Sequence, residues 1–449
     1  SGNSLISISI GFLLLSIDEY MILVDFLFYF KSFHFFLLNL KNKPMEYVSG
    51  FFYFLCFTMF SENSYSLKMV PDSIPPNATL EVLKEHFNKK GIYVRLYPEL
   101  NLVLLKYKRK FCDITDTEVR RCRGLILNHT TYEPVCVPPG KSIPFDDFKV
   151  SYGMHEDTIR YEEFLDGTMM NLFYHNSEKY SGWLISTRSC IGANCKWYSN
   201  REFKDLFEES IHFTYDVFDK DTSYTFVLQH PENRIVKKLD AKRVVLVEAN
   251  RINNYDVSPL NLTEVQLDFF EKGLNIEIPV TQPFKTIHEA TQALSKLSYE
   301  EQGWVLKYNH ERTKMRNPRW RFVKDLRGNS NSLLRNYLEL RQNGFMRDYL
   351  DFFPEMEEQF KEFMNDLHEI TRNLFQNYQA CFVKKTKKHS EIPFIYKPLC
   401  YELHKNYLEK QIIVSFQEVK HYMNTMPIAR QMFLFRNKNK EYLEQEVED

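Results

Sequence analysis

Residues 79–91, "TLEVLKEHFNKKG", place Leu80, Val82, Leu83 and Phe87 on one helical face. Thr79 stands where an N-cap belongs, and Gly91 where a helix stops. The period then drops to two. "IYVRLYPE" and "NLVLLKYKR" read as two strands joined at a Pro-Glu turn, with "RRCRGLILN" and "PVCVP" as further short strands. Pro138, Pro139 and Gly140 punctuate the chain before a strand-rich stretch over 158–250: "MMNLFYH", "SGWLISTRS", "SYTFVLQH" and "RVVLVEAN". One helix, "NREFKDLFEESIHF", interrupts it. A second, "LTEVQLDFFEKG", leads to "GWVLKYN" and "RWRFVKDL", which continue the strand series. Strands interleaved with isolated helices predict an α+β domain on antiparallel sheets.

After about Leu326 the helical period returns, in "SLLRNYLELRQNG", "PEMEEQFKEFMNDLHEITRNLFQNYQACF", "CYELHKNYLEKQIIVSFQEVKHYMNTM" and "ARQMFLF". An all-α C-terminal domain over 329–449 is expected. The run "KKTKK", Lys384 to Lys388, falls in a loop between its helices. A solvated loop is its simplest reading, and RNA contact is the alternative.

Residues 1–68 stand apart, with the apolar runs "GFLLLSI", "MILVDFLFYF", "FHFFLL" and "FFYFLCFTMF". A bilayer-spanning helix needs about 20 apolar residues in a row, and Asp18, Glu19, Asp25 and Lys31 break these runs. No basic start or small-residue cleavage site marks a signal peptide. The expectation is a hydrophobic leader or mis-called extension, with the functional chain beginning near Met69. A membrane anchor around Tyr47–Phe60 is the alternative.

The 449 residues accommodate two to three domains. A net charge of −1 supplies no whole-molecule field for nucleic acid, so RNA binding would require a local basic patch. The eight cysteines form no CxxC pair and have no histidines at zinc-ligand spacing. They read as reduced thiols, which points to a cytoplasmic, reducing compartment.

Six stretches occur in order: "RRCRGLIL", "FLDGT", "STRS", "TFVLQHPENRIV", "QGWVLKY" and "RTKMRNP". Through them, residues 80–328 resemble the bacteriophage RNA ligase 1 family of ATP-dependent RNA ligases and its relatives in large DNA viruses and eukaryotes. The resemblance implies an antiparallel-sheet nucleotidyltransferase domain (ATP-grasp-like RNA ligase) over 69–328, followed by the all-α C-terminal domain. It also implies ATP and Mg as cofactors. In such ligases a lysine amine attacks the α-phosphate of ATP to give lysyl-AMP. The AMP then passes to an RNA 5′-phosphate, and a 3′-hydroxyl displaces it. This chemistry needs an activated amine, cations around the triphosphate, and carboxylates for ribose and metal.

The blocks depart from the family pattern in a patterned way. Phe164 occupies the lysine's place in "FLDGT", and no lysine lies between Lys149 and Lys179. Phenylalanine has no lone pair with which to form a phosphoramidate. Val227 and Gln302 occupy the places of two carboxylates. The neighbouring Glu301 is one residue away, which in a strand turns its side chain to the other face. Asp166 and Gly167 remain. By resemblance, Arg123, Lys141, Arg188, Lys314 and Arg316 are the phosphate- and ribose-facing cations. No metal-ligand set can be named, and nucleotide binding is itself in question, since Phe164 and Val227 would fill the space of adenosine. Asn233 and Arg234 are expected to brace a turn.

Lost acids and kept cations predict a catalytically degenerate, RNA ligase-like pseudoenzyme. It would bind RNA ends or a phosphate-rich ligand, with an active ligase or complex as a further partner and no membrane. One alternative is an RNA ligase with altered chemistry that seals pre-adenylated RNA. Another is an interaction protein with a closed pocket.

Overall fold

In the computed structural model of the chain, residues 64–197 and 200–438 are described. The apolar runs of the first 63 residues, including the anchor alternative at Tyr47–Phe60, lie outside the described residues. Strand β1 (Tyr65–Ser66) already belongs to a sheet, and Leu67 is buried, so the fold takes in residues that the sequence pattern leaves to the leader. Among the described residues no helix is long and apolar enough to cross a membrane. Seven cysteines there are free thiols.

The helix Leu80–Asn88 starts where expected, the Thr79 hydroxyl accepting from the Val82 amide. It buries Leu83 and Phe87, while Val82 faces solvent. Next, β2 (Ile92–Tyr97), β3 (Leu102–Tyr107), β4 (Arg123–Asn128) and β5 (Pro134–Cys136) form an antiparallel sheet in that order. One face packs on the helix through Ile92, Val94, Val103 and Leu105. The other, through Leu104, Ile126 and Cys136, meets Phe173 of the next sheet. That double burial explains the unbroken apolar runs in β3 and β4.

β6 (Arg160–Glu163), β7 (Thr168–Asn176), β8 (Ser181–Ser186), β9 (Thr222–Gln229), β10 (Arg243–Asn253) and β11 (Asp256–Pro259) follow. The larger sheet has order β1-β11-β10-β9-β7-β8 and is antiparallel throughout. Its strand β9 is buried along all eight residues. β6 instead joins β12 (Thr281–Gln282), β13 (Gly303–Tyr308) and β14 (Glu311–Arg316) in a third antiparallel sheet, order β12-β6-β13-β14. Tyr161, Trp304, Leu306 and Met315 on one face of it pack with Phe148 and Ile287.

"RWRFVKDL" corrects the strand expectation: Pro318–Arg327 is a helix. Asn317 caps it by accepting from the Arg319 amide, and Pro318 takes the first helical position, where its missing N–H costs nothing. Trp320, Val323, Leu326 and Arg327 then share the buried face. The remaining described residues, up to 438, are mainly helical, as expected. Its longest element, Glu357–Tyr378, continues into a π-helical turn, Gln379–Val383. The segment "CYELHKNYLEKQIIVSFQEVKHYMNTM" is two helices, Lys397–Lys410 and Phe416–Thr425, broken where Gln411 turns left-handed at φ 55°. The helical core includes Val236, Trp320 and Val323 as well as the C-terminal helices. The fold is therefore α+β on antiparallel sheets with an all-α C-terminal region.

Candidate functional site

The register of the third sheet builds a floor. Val305 pairs with Glu162 on one side and Lys314 on the other, and Lys307 pairs with Arg160 and Arg312. Gly303 pairs with Arg316, and its carbonyl accepts from the Phe164 amide at 2.9 Å. Side chains alternate along strands, and directly paired residues share a face. Three rows thus stand together: Arg160/Lys307/Arg312, Glu162/Val305/Lys314 and Phe164/Gly303/Arg316. Only a glycine fits at Gly303. Its φ is +116°, and a Cβ would lie 2.1 Å from the Met315 carbonyl oxygen.

The facing wall is apolar. Val227 pairs with Met169 and Val245, and these gather with Leu165 and Val247. Between floor and wall lies a cavity of about 270 Å³, lined among others by Arg123, Phe164, Val227, Gln302, Lys314 and Arg316. The structure thus brings together Arg123, Phe164, Asp166, Gly167, Val227, Gln302, Lys314 and Arg316. Lys141 reaches the same cations from a second cavity of about 350 Å³, also lined by Arg109, Lys314 and Arg316. Arg188 is not among the residues lining either cavity. Its guanidinium lies 5.5 Å from the Tyr107 ring.

Contrary to the expectation from sequence, Phe164 is not among the residues that pack around Val227. Its ring lies 4.6 Å from the Lys314 ammonium and 5.7 Å from the Arg316 guanidinium carbon, a cation–π arrangement. Asp166 turns away from the cations. Its carboxylate accepts from the amides of Val236 (3.0 Å) and Lys237 (2.9 Å), and burial holds the carboxyl above its usual range. Gly167 permits close approach: a Cβ would sit 2.5 Å from the Leu228 carbonyl oxygen and 2.6 Å from Val227 Cγ1. Asn233 braces the turn, donating to the Thr168 hydroxyl.

Charge is unevenly balanced across the floor. Glu162 accepts from Lys307 at 2.7 Å and from Arg160 at 2.8 Å. Burial disfavours its charge, yet Lys307 and Arg160 keep the carboxyl below its usual range. Arg312 pairs with Glu248. Lys314 and Arg316, by contrast, have no ion pair among the described residues. Burial first, then Arg123, Arg316, Arg312 and Lys141, push the Lys314 ammonium well below the lysine range. Burial and the same cationic neighbourhood lower Lys141 as well.

This donor set fits an anion. It does not fit a divalent cation, which needs several oxygen ligands. Asp166 is spent on backbone amides and Glu162 on cations, and Glu163, though it borders the cavity, pairs with Trp304 on the sheet face opposite the cation rows. The cluster Glu209, His230 and Glu232 lies elsewhere, with Arg201 on both carboxylates. Sequence reading missed Glu162, Lys307 and Arg312. The period-two pattern of "GWVLKY" and "ERTKMR" carries the signal, since it puts Lys307, Arg312, Lys314 and Arg316 on one face.

No family model matches the chain. The chain is 24% identical over 321 residues to a protein of Autographa californica nuclear polyhedrosis virus that carries the name bifunctional polynucleotide kinase/RNA ligase, covering 66% of this chain and 43% of that one. It is 26% identical over 162 residues to an immediate-early protein ICP-46 homolog of Invertebrate iridescent virus 3, covering 30% and 34%. The chain thus spans less than half the length of the curated relatives it matches. An archaeal ATP-dependent RNA ligase structure aligns at 13% identity, with TM-score 0.39, over 65% of this chain and 79% of that one. By sequence the chain is similar to a viral protein named for polynucleotide kinase and RNA ligase activities, and its own fold is α+β on antiparallel sheets.

Proposed function

We propose that this RNA ligase-like chain does not adenylate itself and uses the cationic floor to hold the phosphate of an RNA end. The observation that carries this reading is the Phe164 ring lying against Lys314 and Arg316. By the resemblance, the reactive amine would stand there. A ring cannot carry adenylate, while the two cations beside it have no ion-paired acid among the described residues. An arriving phosphate would supply that charge, with charge-assisted hydrogen bonds. ATP use is typical of the resembled family, but the missing carboxylates leave no place here for its metal. The compartment would be reducing, in keeping with the free thiols.

Incubation with radiolabelled ATP and magnesium should leave no covalent AMP on the protein. A 5′-phosphorylated oligoribonucleotide should bind more tightly than its 5′-hydroxyl twin, and Lys314→Ala with Arg316→Ala should abolish the difference. Covalent label on a lysine would overturn the first half. Equal binding of both oligonucleotides would overturn the second. Joined product from a pre-adenylated RNA would replace this reading with that of an active ligase.

A further inference from the structure

The C-terminal region carries a surface that the cavity reading does not use. The π-helical turn Gln379–Val383 delivers the chain into Lys384–Lys388. Such turns interrupt a helix at a cost and recur at functional sites. Lys385 is itself left-handed at φ 55°, an uncommon state for lysine. Lys384, Lys385 and Lys388 are exposed and have no ion pair among the described residues. Nearby carboxylates are occupied: Glu391 accepts from the Lys388 amide, and Glu402 binds Arg430 and Tyr422.

Beside these lysines stands a ladder of rings. His389 and Tyr401 stack at 5.5 Å and 21°, with the His389 Nδ1 and the Tyr401 hydroxyl 3.1 Å apart. Phe382 meets His389 at 4.7 Å and Tyr401 at 5.7 Å, both edge-on. It also lies 4.3 Å from His404, which stacks with Tyr407 at 5.9 Å and 27°. Tyr401, His404 and Tyr407 recur at helical spacing, so they form one stripe of Lys397–Lys410. Tyr401 is 46% exposed. Phe382 and Tyr407 anchor the ladder on the helical core, while His389 and Tyr401 stand exposed at its outer end beside the lysines. Unpaired cations beside stackable rings match the chemistry by which single-stranded nucleic acid is held, phosphates on the lysines and bases on the rings.

We propose that Lys384, Lys385 and Lys388, with the ring ladder around Tyr401, form a binding site for a single-stranded polynucleotide. The site is independent of the cavity, so a 5′-hydroxyl oligonucleotide tests it without engaging the phosphate-end reading. Fluorescence anisotropy of the full chain with short unstructured RNA and DNA strands would be read at several salt concentrations. Each phosphate contact to a single strand contributes about 0.7 to the log–log salt slope, so Lys→Gln at all three lysines should lower it by about two. Tyr401→Ala should weaken binding roughly tenfold, and Tyr401→Phe should retain it, because stacking survives without the hydroxyl. Whichever strand binds more tightly identifies the ligand. Unchanged affinity and slope in the triple-lysine variant, or equal loss in Tyr401→Phe and Tyr401→Ala, would overturn the site. So would binding confined to an acidic protein partner. Loss of the 5′-phosphate preference in Lys314→Ala, with this binding intact, would show the two sites to be separate.

Discussion

Lys314 is the residue whose state most depends on what fills the cavity. Its amine is half-buried, faced by arginines, and unpaired among the described residues. A lysine whose folded pKa is depressed costs stability in full while both states are charged. That cost fades as pH rises from the lowered value towards the unfolded value of 10.5. Lys314→Met should therefore be more stable than the native chain near neutral pH, by roughly 1–3 kcal/mol, since it removes a polar group that gives up water without gaining an acid partner. Urea unfolding from about pH 7 to about pH 10 should show that advantage shrinking as pH approaches the unfolded value, where the unfolded amine too loses its proton. A pH-independent gap would refute the account. Phe164 gives a complementary expectation. Phe164→Lys alone should gain no covalent AMP, because Val227 and Gln302 still leave no carboxylate to hold metal. Stoichiometric labelling of that single variant would mean that the nucleophile was the sole loss.

At the scale of elements, the floor depends on one strand lending an acid to another. Glu162 on β6 neutralises Lys307 on β13, and both side chains are under 10% exposed. Glu162→Gln would strand Lys307 as a buried charge and should cost about 3–5 kcal/mol in urea unfolding. Pairing it with Lys307→Met should recover most of the loss, since no lone charge then remains. Failure of the double variant to recover would place the role of Glu162 in its contact with Arg160 instead. Individual strands were legible because their apolar runs and alternation are local. Their partners were not: β6 leaves the strands that flank it in sequence to join β13, across more than a hundred residues. So the neighbours of Phe164 could be named by block order, but the Glu162–Lys307 pair could not. Asp166 was legible as a kept residue, yet its orientation depends on where the Val236 and Lys237 amides pass. The helix Pro318–Arg327 was hidden because "RWRFVKDL" is short, and its apolar side chains fit either period until Asn317 and Pro318 are read as a cap.

One arginine and one loop help to tie the helical region to the site. Arg234 donates to the Glu355 carboxylate at 2.7 Å and to the Phe352 carbonyl at 2.9 Å, and lies 4.5 Å from the Phe353 ring. Two residues on, Val236 is fully buried in the helical core, and its amide donates to Asp166 beside the cavity. The loop carrying Asp166 and Gly167 is therefore backed by the C-terminal helices, although none of the cation floor comes from them. A chain ending at Gly328 would leave Val236, Trp320 and Leu326 facing water, and would leave Arg234 only the Val236 carbonyl of its three acceptors. It should unfold with a lower urea midpoint and a broader transition. Its preference for a 5′-phosphorylated strand should weaken, although every floor cation is present. Arg234→Ala in the full chain should move both readouts the same way by a smaller amount, since it removes the tether and keeps the burial. If the shortened chain unfolds as cooperatively as the full one and keeps its preference for the 5′-phosphate, then the helical region does not support the site, and its contribution lies in the surface around Tyr401.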